Sequence, residues 1–274
     1  MPARLDEIVA AARRRIAQTK RGIDVRGLER RAQQHVPRGF RRALESKSQT
    51  GLAIIAELKK ASPSRGLIRA DFDPEKLARE LERTGVAALS VLTDEEFFQG
   101  SLQNLAHASA STNLPCLRKD FIVDEFQVLE ARAHGADAVL LIVAALAPAE
   151  LNLLACCASV LDLDALCEVH DEEELTRALD AGCNLIGVNS RDLRTFEVDL
   201  ETAFRLADAM PKHVLRVAES GIQNAKDIAR LRVAGYQAFL IGESLMRAAS
   251  PGETLKALIA DSKRVACSGL KAES

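Results

Sequence analysis

The sequence of 274 residues contains no tryptophan and one tyrosine, and it lacks an excess of charge of either sign. It carries 37 Lys and Arg against 39 Asp and Glu, which gives a formal net charge of −2. This balance excludes a generally basic nucleic-acid binder and an acidic solvating protein. Hydrophobic residues make up 47% of the chain, a share that is too high for a disordered protein and typical of a globular one.

Long apolar runs and cysteine motifs are also missing. No run reaches the roughly 18 apolar residues of a membrane span, and residues 1–15 lack the apolar core of a signal peptide. The six cysteines form no C-x-x-C pair, and none has a histidine at metal-ligand spacing. We therefore expect reduced cysteines, no metal, no membrane partner and a cytoplasmic location.

Positive charge is concentrated in residues 1–50, which hold 13 Lys and Arg against five Asp and Glu. A nucleic-acid arm or an organelle transit peptide would explain this charge. Against both, apolar residues of the segment fall on one helical face, namely Leu5, Ile8, Val9, Ala12 and Ile16. We predict a helical extension docked on the rest of the protein, with solvated arginines and no nucleic-acid partner.

From residue 51 onward, short apolar runs alternate with longer helical patterns. The eight runs, each a candidate strand, span 52–58, 87–93, 115–119, 138–144, 164–169, 185–189, 214–219 and 238–242. They are almost continuous in aliphatic residues, which is typical of parallel strands covered on both faces. Several helical patterns end in a glycine shortly before the next strand, as expected for left-handed C-caps: Gly85, Gly135, Gly182 and Gly235.

Eight such units predict an α/β fold of the (β/α)8 TIM-barrel class in a single domain. The barrel would span residues 51–265, with 1–50 as an N-terminal helical extension and 266–274 as a tail. A doubly wound open sheet is the alternative, but it usually needs a glycine-rich phosphate loop after its first strand. Residues 57–64, Glu-Leu-Lys-Lys-Ala-Ser-Pro-Ser, contain no such loop.

Ionisable residues recur where the predicted strands end. In a barrel these positions share one rim, and that rim carries the catalytic groups. A single such charge is more often a solvated loop residue, but five at equivalent positions would meet in one cavity. There they would shift one another's pKa values and support acid–base chemistry. The five are Glu57, Lys59, Lys119, Glu168 and Glu219.

The ends of the last two predicted strands carry a different signal. Barrels often hold a phosphate between these loops and the N-terminus of a short extra helix. Ser220-Gly221 and Gly242-Glu243 would offer backbone N–H donors there, provided that Glu243 turns its carboxylate away. After an eighth strand this pattern favours a phosphate site, with a simple glycine turn as the alternative.

Long motifs of the chain closely resemble the indole-3-glycerol-phosphate synthase family of tryptophan biosynthesis. They are residues 55–64 (IAELKKASPS), 89–101 (LSVLTDEEFFQGS), 117–142, 168–175 (EVHDEEEL), 187–199, 218–222 (AESGI) and 239–247 (FLIGESLMR). The likeness runs in order through nearly the whole chain. Two departures are Arg65, where the family often has Lys, and Ser190, where it often has Asn.

This resemblance implies a carboxy-lyase that uses no cofactor and no metal. Its substrate would be 1-(2-carboxyphenylamino)-1-deoxy-D-ribulose 5-phosphate, and its products indole-3-glycerol phosphate, CO2 and water. By the same likeness, Lys119 is the general acid at the ketone oxygen. Glu168 has an acid–base role in the dehydration, and Lys59 is a candidate proton donor in the same step. Glu57 and Glu219 orient the lysines.

The resemblance also implies the remaining site residues. Asn189 and Ser220 belong with the catalytic set, and Asn189 and Arg191 hydrogen-bond polar groups of the substrate. Residues that hold its anions, chiefly the phosphate, are Ser62, Ser220, Gly221, Gly242 and Glu243. Phe97, Phe98 and Phe121 either wall the aromatic ring or belong to the core. We expect a monomer or a weak oligomer.

Two other functions stay open on the sequence. Another barrel enzyme, either a phosphosugar isomerase or a Schiff-base aldolase acting through Lys59 or Lys119, would use similar strand-end charges. A catalytically inactive barrel that binds a phosphorylated ligand and a partner would keep the glycine loops, but it would lose those charges.

Overall fold

The protein is described by a computed structural model, which covers residues 5–192 and 197–269. Within these ranges, eight parallel strands close into a barrel in which β1 pairs with both β2 and β8. The strands are β1 (Ala53–Leu58), β2 (Ala88–Leu92), β3 (Cys116–Lys119), β4 (Ala138–Ile142), β5 (Asp164–Val169), β6 (Leu185–Asn189), β7 (Leu215–Glu219) and β8 (Ala238–Ile241). The predicted (β/α)8 TIM-barrel class is confirmed.

Helices precede the barrel and connect its strands. They are α1 (Leu5–Thr19), α2 (Val25–Gln34), α3 (Phe40–Thr50), α4 (Pro74–Glu82), α5 (Glu95–Phe98), α6 (Leu102–Ala110), α7 (Glu125–Ala133), α8 (Pro148–Val160), α9 (Glu172–Asp180), α10 (Glu201–Ala207), α11 (Ala225–Val233), α12 (Glu243–Arg247) and α13 (Pro251–Gly269). Because α13 continues to Gly269, the predicted boundary between 265 and 266 falls inside this helix. Residues 270–274 of the predicted tail lie outside the described residues.

The strands lie close to where the apolar runs predicted them. All residues of β1, β2, β4 and β6 are buried, because the inner face fills the barrel and helices cover the outer face. The run 138–144 is the main difference. Its strand ends at Ile142, and Val143–Ala145 turn into a short 3-10 helix.

Local signals account for several helix boundaries. Asp73 caps α4 by accepting a hydrogen bond from the backbone N–H of Lys76 at 3.0 Å, and Pro74 occupies the first turn, where its missing N–H costs nothing. The four glycines that follow helices have φ angles between 75° and 95°. This is the left-handed region, where a side-chain carbon would clash.

Two arginines tie the N-terminal helices to opposite ends of the barrel. Arg15 of α1 donates to Asp94 and Asp120, which follow β2 and β3 at the carboxyl ends of the strands. Arg38 donates to both carboxylate oxygens of Asp137, which directly precedes β4. Between these anchors, the apolar face of α1 is buried: Ile8, Ala11, Ala12 and Ile16.

Candidate active site

The carboxyl ends of the barrel strands surround a cavity of about 670 Å³. Nearly every site residue predicted from the sequence lines it: Glu57, Lys59, Ser62, Lys119, Phe121, Glu168, Asn189, Arg191, Glu219, Ser220, Gly221, Gly242 and Glu243. Distant parts of the chain therefore meet here because eight strands end on the same rim of the barrel.

Phe97 is the exception among the predicted residues. It packs, partly buried, against the apolar core, and its neighbour Phe98 lines the cavity instead. Both belong to the short helix α5, in which consecutive side chains point about 100° apart, so only one of them faces inward. The Phe98 ring lies 6.2 Å from the ring of Phe121, centroid to centroid.

Lys119 lies between two carboxylates. Its Nζ donates to Glu168 Oε2 at 2.6 Å and to Glu219 Oε2 at 3.1 Å. Lys119 and Glu219 end β3 and β7, and Glu168 is the penultimate residue of β5, so the barrel brings alternate strands together at this point. All three side chains are largely buried, and the low local polarity strengthens their mutual attraction.

These contacts shift the pKa values of the three groups. Burial lowers the pKa of Lys119, but the carboxylates of Glu168, Glu219 and Glu57 outweigh it and raise it overall. Burial also raises the pKa of Glu219 to about 7, although Lys119 opposes the shift. For Glu168 the balance is reversed, because Lys119 and His170 outweigh burial and lower its pKa. The two carboxylates thus differ in proton affinity while sharing one ammonium group.

A second lysine–glutamate pair projects from β1. Lys59 Nζ donates to Glu57 Oε2 at 2.6 Å, as the two-residue spacing along an extended segment predicts. Two glycines leave room for the side chains of Glu57 and Glu219. A side-chain carbon at Gly242 would collide with the Glu57 carboxylate, and one at Gly187 with the Glu219 carboxylate.

Asn189 connects two parts of the site. Its Nδ2 donates to Glu168 Oε1 at 3.0 Å, while its Oδ1 accepts from the backbone N–H of Arg191 at 3.1 Å. The register of β6 and β7 also pairs Asn189 with Glu219. Asn189 therefore fixes the orientation of the Glu168 carboxylate.

The loops after β7 and β8 have the backbone expected of an anion site. Ser220 and Gly221 follow each other with φ angles of 61° and 77°, both in the left-handed region, which is uncommon for serine. Gly242 directly precedes α12, so backbone N–H groups at the start of that helix border the cavity.

The Glu243 side chain differs from the sequence-based prediction. Its carboxylate stays at the cavity and pairs with three arginines that line it: Arg65 at 3.0 Å, Arg191 at 3.5 Å and Arg247 at 3.8 Å. At these distances the positive guanidinium groups attract the partly buried carboxylate. The condition set from the sequence, a carboxylate turned away from the phosphate donors, thus meets a carboxylate that is paired with cations.

A buried charge network behind Lys119 was missed at the level of the sequence. Asp120 accepts hydrogen bonds from Arg118 at 3.0 Å, from Thr93 at 2.6 Å and from Arg15 at 3.2 Å. Burial raises the pKa of Asp120, but Arg118 and Arg15 outweigh it and hold it below its ordinary value. The signal was present in the run Arg118-Lys119-Asp120, because a charged residue on each side of a strand needs partners on both faces.

His170 was also missed, since the five histidines are scattered and suggested no cluster. It lies two residues after Glu168, and its Nε2 is 3.5 Å from the Glu168 carboxylate. The same two-residue spacing that linked Glu57 and Lys59 would have identified it.

Membrane-spanning helices are absent from residues 5–192 and 197–269, since none of the helices there is long and apolar enough to cross a membrane. Among the side chains of residues 5–192 and 197–265, no three His, Cys, Asp or Glu are grouped so that they would hold a metal ion.

The chain was compared with known proteins. The model of the indole-3-glycerol phosphate synthase family matches residues 5–258. The chain is 58% identical over 259 residues to indole-3-glycerol phosphate synthase of Koribacter versatilis, covering 94% of this chain and 100% of that one. It is 51% identical over 255 residues to the enzyme of the same name from Desulfotalea psychrophila, covering 93% and 97%.

Solved structures with low identity share the fold. A 3-hexulose-6-phosphate synthase superposes with a TM-score of 0.62 at 14% identity, covering 77% of this chain and 99% of that one. Thiamine phosphate pyrophosphorylase from Pyrococcus furiosus gives a TM-score of 0.58 at 16% identity, covering 78% and 96%. At such identities the likeness concerns the barrel alone.

Proposed function

The chain belongs to the indole-3-glycerol phosphate synthase family, and we propose that it performs the family's ring closure with its own lysines and glutamates. As a member it is a decarboxylating lyase of tryptophan biosynthesis. The proposed substrate is 1-(2-carboxyphenylamino)-1-deoxy-D-ribulose 5-phosphate, and the products are indole-3-glycerol phosphate, CO2 and water. The observation that carries the proposal is the contact of Lys119 with both Glu168 and Glu219 inside the cavity.

In the first step, the ring carbon that bears the carboxylate attacks the ketone carbon of the ribulose chain. A carbon–carbon bond forms, and the ketone oxygen gains negative charge. Lys119 is a protonated ammonium with a raised pKa, so it stabilises this oxygen and donates the proton that makes it a hydroxyl. Glu168 and Glu219 hold Lys119 in place for that transfer.

Loss of CO2 follows, and the electron pair of the broken bond restores the aromatic ring. The new hydroxyl must then leave as water while a proton is removed from the closed ring. Lys59 donates to the departing hydroxyl, and Glu168 accepts the ring proton, so protons and charges balance. Glu57 orients Lys59 through its 2.6 Å contact.

Binding of the substrate anions uses the loops after β7 and β8, which line the same cavity. The phosphate is held by backbone N–H groups of the loops that contain Ser220-Gly221 and Gly242-Glu243, with Ser62 beside them. Arg191 and Asn189 hydrogen-bond the remaining polar groups. Phe98 and Phe121 wall the aromatic ring, while Phe97 packs against the core.

The test is incubation with the carboxyphenylamino substrate while indole absorbance and fluorescence are followed. Background is low because the chain has no tryptophan and one tyrosine. We expect indole formation with stoichiometric CO2, and a loss of ring closure in single turnovers of Lys119→Ala. Near-normal single-turnover closure by that variant would overturn the role of Lys119. Borohydride trapping of a covalent adduct would favour a Schiff-base aldolase instead.

We further propose that the enzyme works in the cytoplasm on a small phosphorylated substrate, as a monomer or weak oligomer, without a nucleic-acid partner. Several arginines of the basic N-terminal segment form ion pairs with the barrel, among them Arg13, Arg15 and Arg38. Nucleic-acid binding would be steeply salt-dependent. Titration with duplex DNA at low and high salt, and light scattering, test these points.

A further inference from the structure

His170 is a largely buried titratable group that the proposed mechanism does not use. Its backbone N–H donates to Glu174 Oε2 at 2.8 Å, and its ring Nδ1 lies 3.0 Å from the same oxygen. Glu174 belongs to α9, so this double contact anchors the imidazole to the helix that follows β5. The ring is thereby turned so that Nε2 points back to Glu168, with 3.5 Å between Nε2 and Oε1.

The Nε2 atom is buried and has no hydrogen-bond partner among the described residues. A buried polar atom without a partner is rare and calls for an explanation. The ionised Glu174 carboxylate can only accept a hydrogen bond, so Nδ1 must carry the hydrogen. In a neutral ring, Nε2 would then direct its lone pair at the Glu168 carboxylate. A protonated ring presents an N–H instead, which turns repulsion into attraction.

We propose that His170 is a positioning residue whose imidazolium, anchored by Glu174, holds and tunes the Glu168 carboxylate for the proton transfer of the dehydration step. This rests on the proposed function. Glu168 then has a cation at each oxygen: Lys119 bonds Oε2 at 2.6 Å, and His170 faces Oε1 beside Asn189. The two cations keep Glu168 ionised and therefore able to accept the proton from the ring.

The charges around His170 agree with a protonated ring. Burial lowers its pKa, but the carboxylates of Glu174, Glu168 and Glu219 outweigh burial and raise it overall. These lie on α9, β5 and β7 respectively. The ammonium of Lys119 opposes them from the far side of Glu168, where two carboxylates already neutralise it.

The first readout is the pH profile of kcat for wild type, His170→Asn and Glu174→Gln. Loss of the imidazolium raises the pKa of Glu168, so the acid limb of kcat moves to higher pH by about one unit in His170→Asn. Glu174→Gln moves it in the same direction by less, while KM stays near wild type in both. His107→Asn is the matched control, because His107 is bonded on the surface to Gln103, and it leaves the profile unchanged.

The second readout needs no turnover. Nitrogen-15 NMR of the imidazole rings, assigned by the His170→Asn spectrum, should find His170 protonated at pH 7 and its pKa lowered in Glu174→Gln and in Glu168→Gln. A neutral His170 ring at pH 7, or an acid limb that stays unchanged in a folded His170→Asn enzyme, would overturn the proposal. Absence of indole product from wild type would refute the proposed function, whereas the NMR result would still decide the protonation of His170.

Discussion

Arg15, in the first helix, donates a hydrogen bond of 3.2 Å to Asp120, the residue that directly follows Lys119. Its other terminal nitrogen donates to Asp94 at 2.8 Å. Both carboxylates are 1% exposed, so this one guanidinium joins the N-terminal extension to two loops of the catalytic rim. The extension therefore contributes to the placement of the proposed general acid as well as to packing.

Arg15→Ala is expected to lower both stability and kcat. Two buried carboxylates lose a cation, which costs about 3 kcal/mol of the free energy of unfolding, and Arg15 no longer holds Asp120, the residue beside Lys119, in place. Urea unfolding and steady-state kinetics measure the two effects. Arg13→Ala is the control, since its exposed pair with Glu150 is worth less than about 1 kcal/mol. Equal losses in the two variants would contradict the special role of Arg15.

The pattern of residues in the sequence predicted most of the barrel architecture, and the exceptions have physical causes. Aliphatic runs and helix-ending glycines identified the eight strands, because burial on both faces leaves a strong signal in the sequence. The shared rim then followed from closure of the barrel, which joined Lys119 to Glu168 and Glu219 although they lie 49 and 100 residues apart. Which strand-end residues meet at the rim is thus determined largely by the topology of the barrel.

Side-chain direction was harder to predict. Phe97 and Phe98 are chemically identical neighbours, and only the phase of a one-turn helix decides which faces the cavity. The Glu243 carboxylate was expected to turn away, yet three arginines from separate segments attract it. These arginines come together only in the tertiary structure, so residue spacing in the sequence does not predict their contact with Glu243. His170 illustrates the opposite case, since its two-residue offset from Glu168 was visible but was not used.

The raised pKa of Glu219 gives a prediction about stability and pH. Its ordinary value is 4.5, and burial raises it to about 7 in the folded protein. Between these values the native state binds more protons than the unfolded state, so Glu219 makes stability fall as the pH rises from 4.5 to 7. Glu219→Gln removes this dependence. Thermal melts of both proteins across that range should converge at low pH and separate toward pH 7, with the variant the more stable; parallel curves would refute the shift.

Glu243 provides a test of phosphate binding. Its carboxylate pairs with Arg65, Arg191 and Arg247 at the cavity, so it opposes a phosphate dianion that needs the same positive field. Glu243→Gln removes one like charge, and we expect inorganic phosphate to bind about fivefold more tightly, or roughly 1 kcal/mol. Isothermal titration calorimetry measures the change. The control is Glu253→Gln, at an exposed pair with Lys256; weaker binding by the Glu243 variant would mean that the carboxylate organises the arginines instead.

Substitution of Arg38 tests stability independently of catalysis, because Arg38 lies at the end of the barrel opposite the cavity. It donates to both oxygens of the fully buried Asp137 and also to backbone carbonyls of Ser109, Thr112 and Gly135. Arg38→Ala leaves that carboxylate with fewer partners, and we expect a loss of about 3 kcal/mol in the free energy of unfolding. Arg38→Lys should recover only part of it, since an ammonium cannot reproduce the planar fork.

The loss should depend on pH with a definite sign. Burial raises the pKa of Asp137, but hydrogen bonds from His35 and Arg38 outweigh it and lower it overall. The stabilisation is therefore complete above the unfolded pKa of 3.8 and fades as the pH falls toward the folded value. Urea unfolding at pH 7 and at pH 3 should give a large and a smaller difference between wild type and Arg38→Ala. Because the cavity is distant, kcat of the folded variant should stay near wild type; a large drop in kcat at temperatures where it is fully folded would show that the two ends of the barrel are coupled.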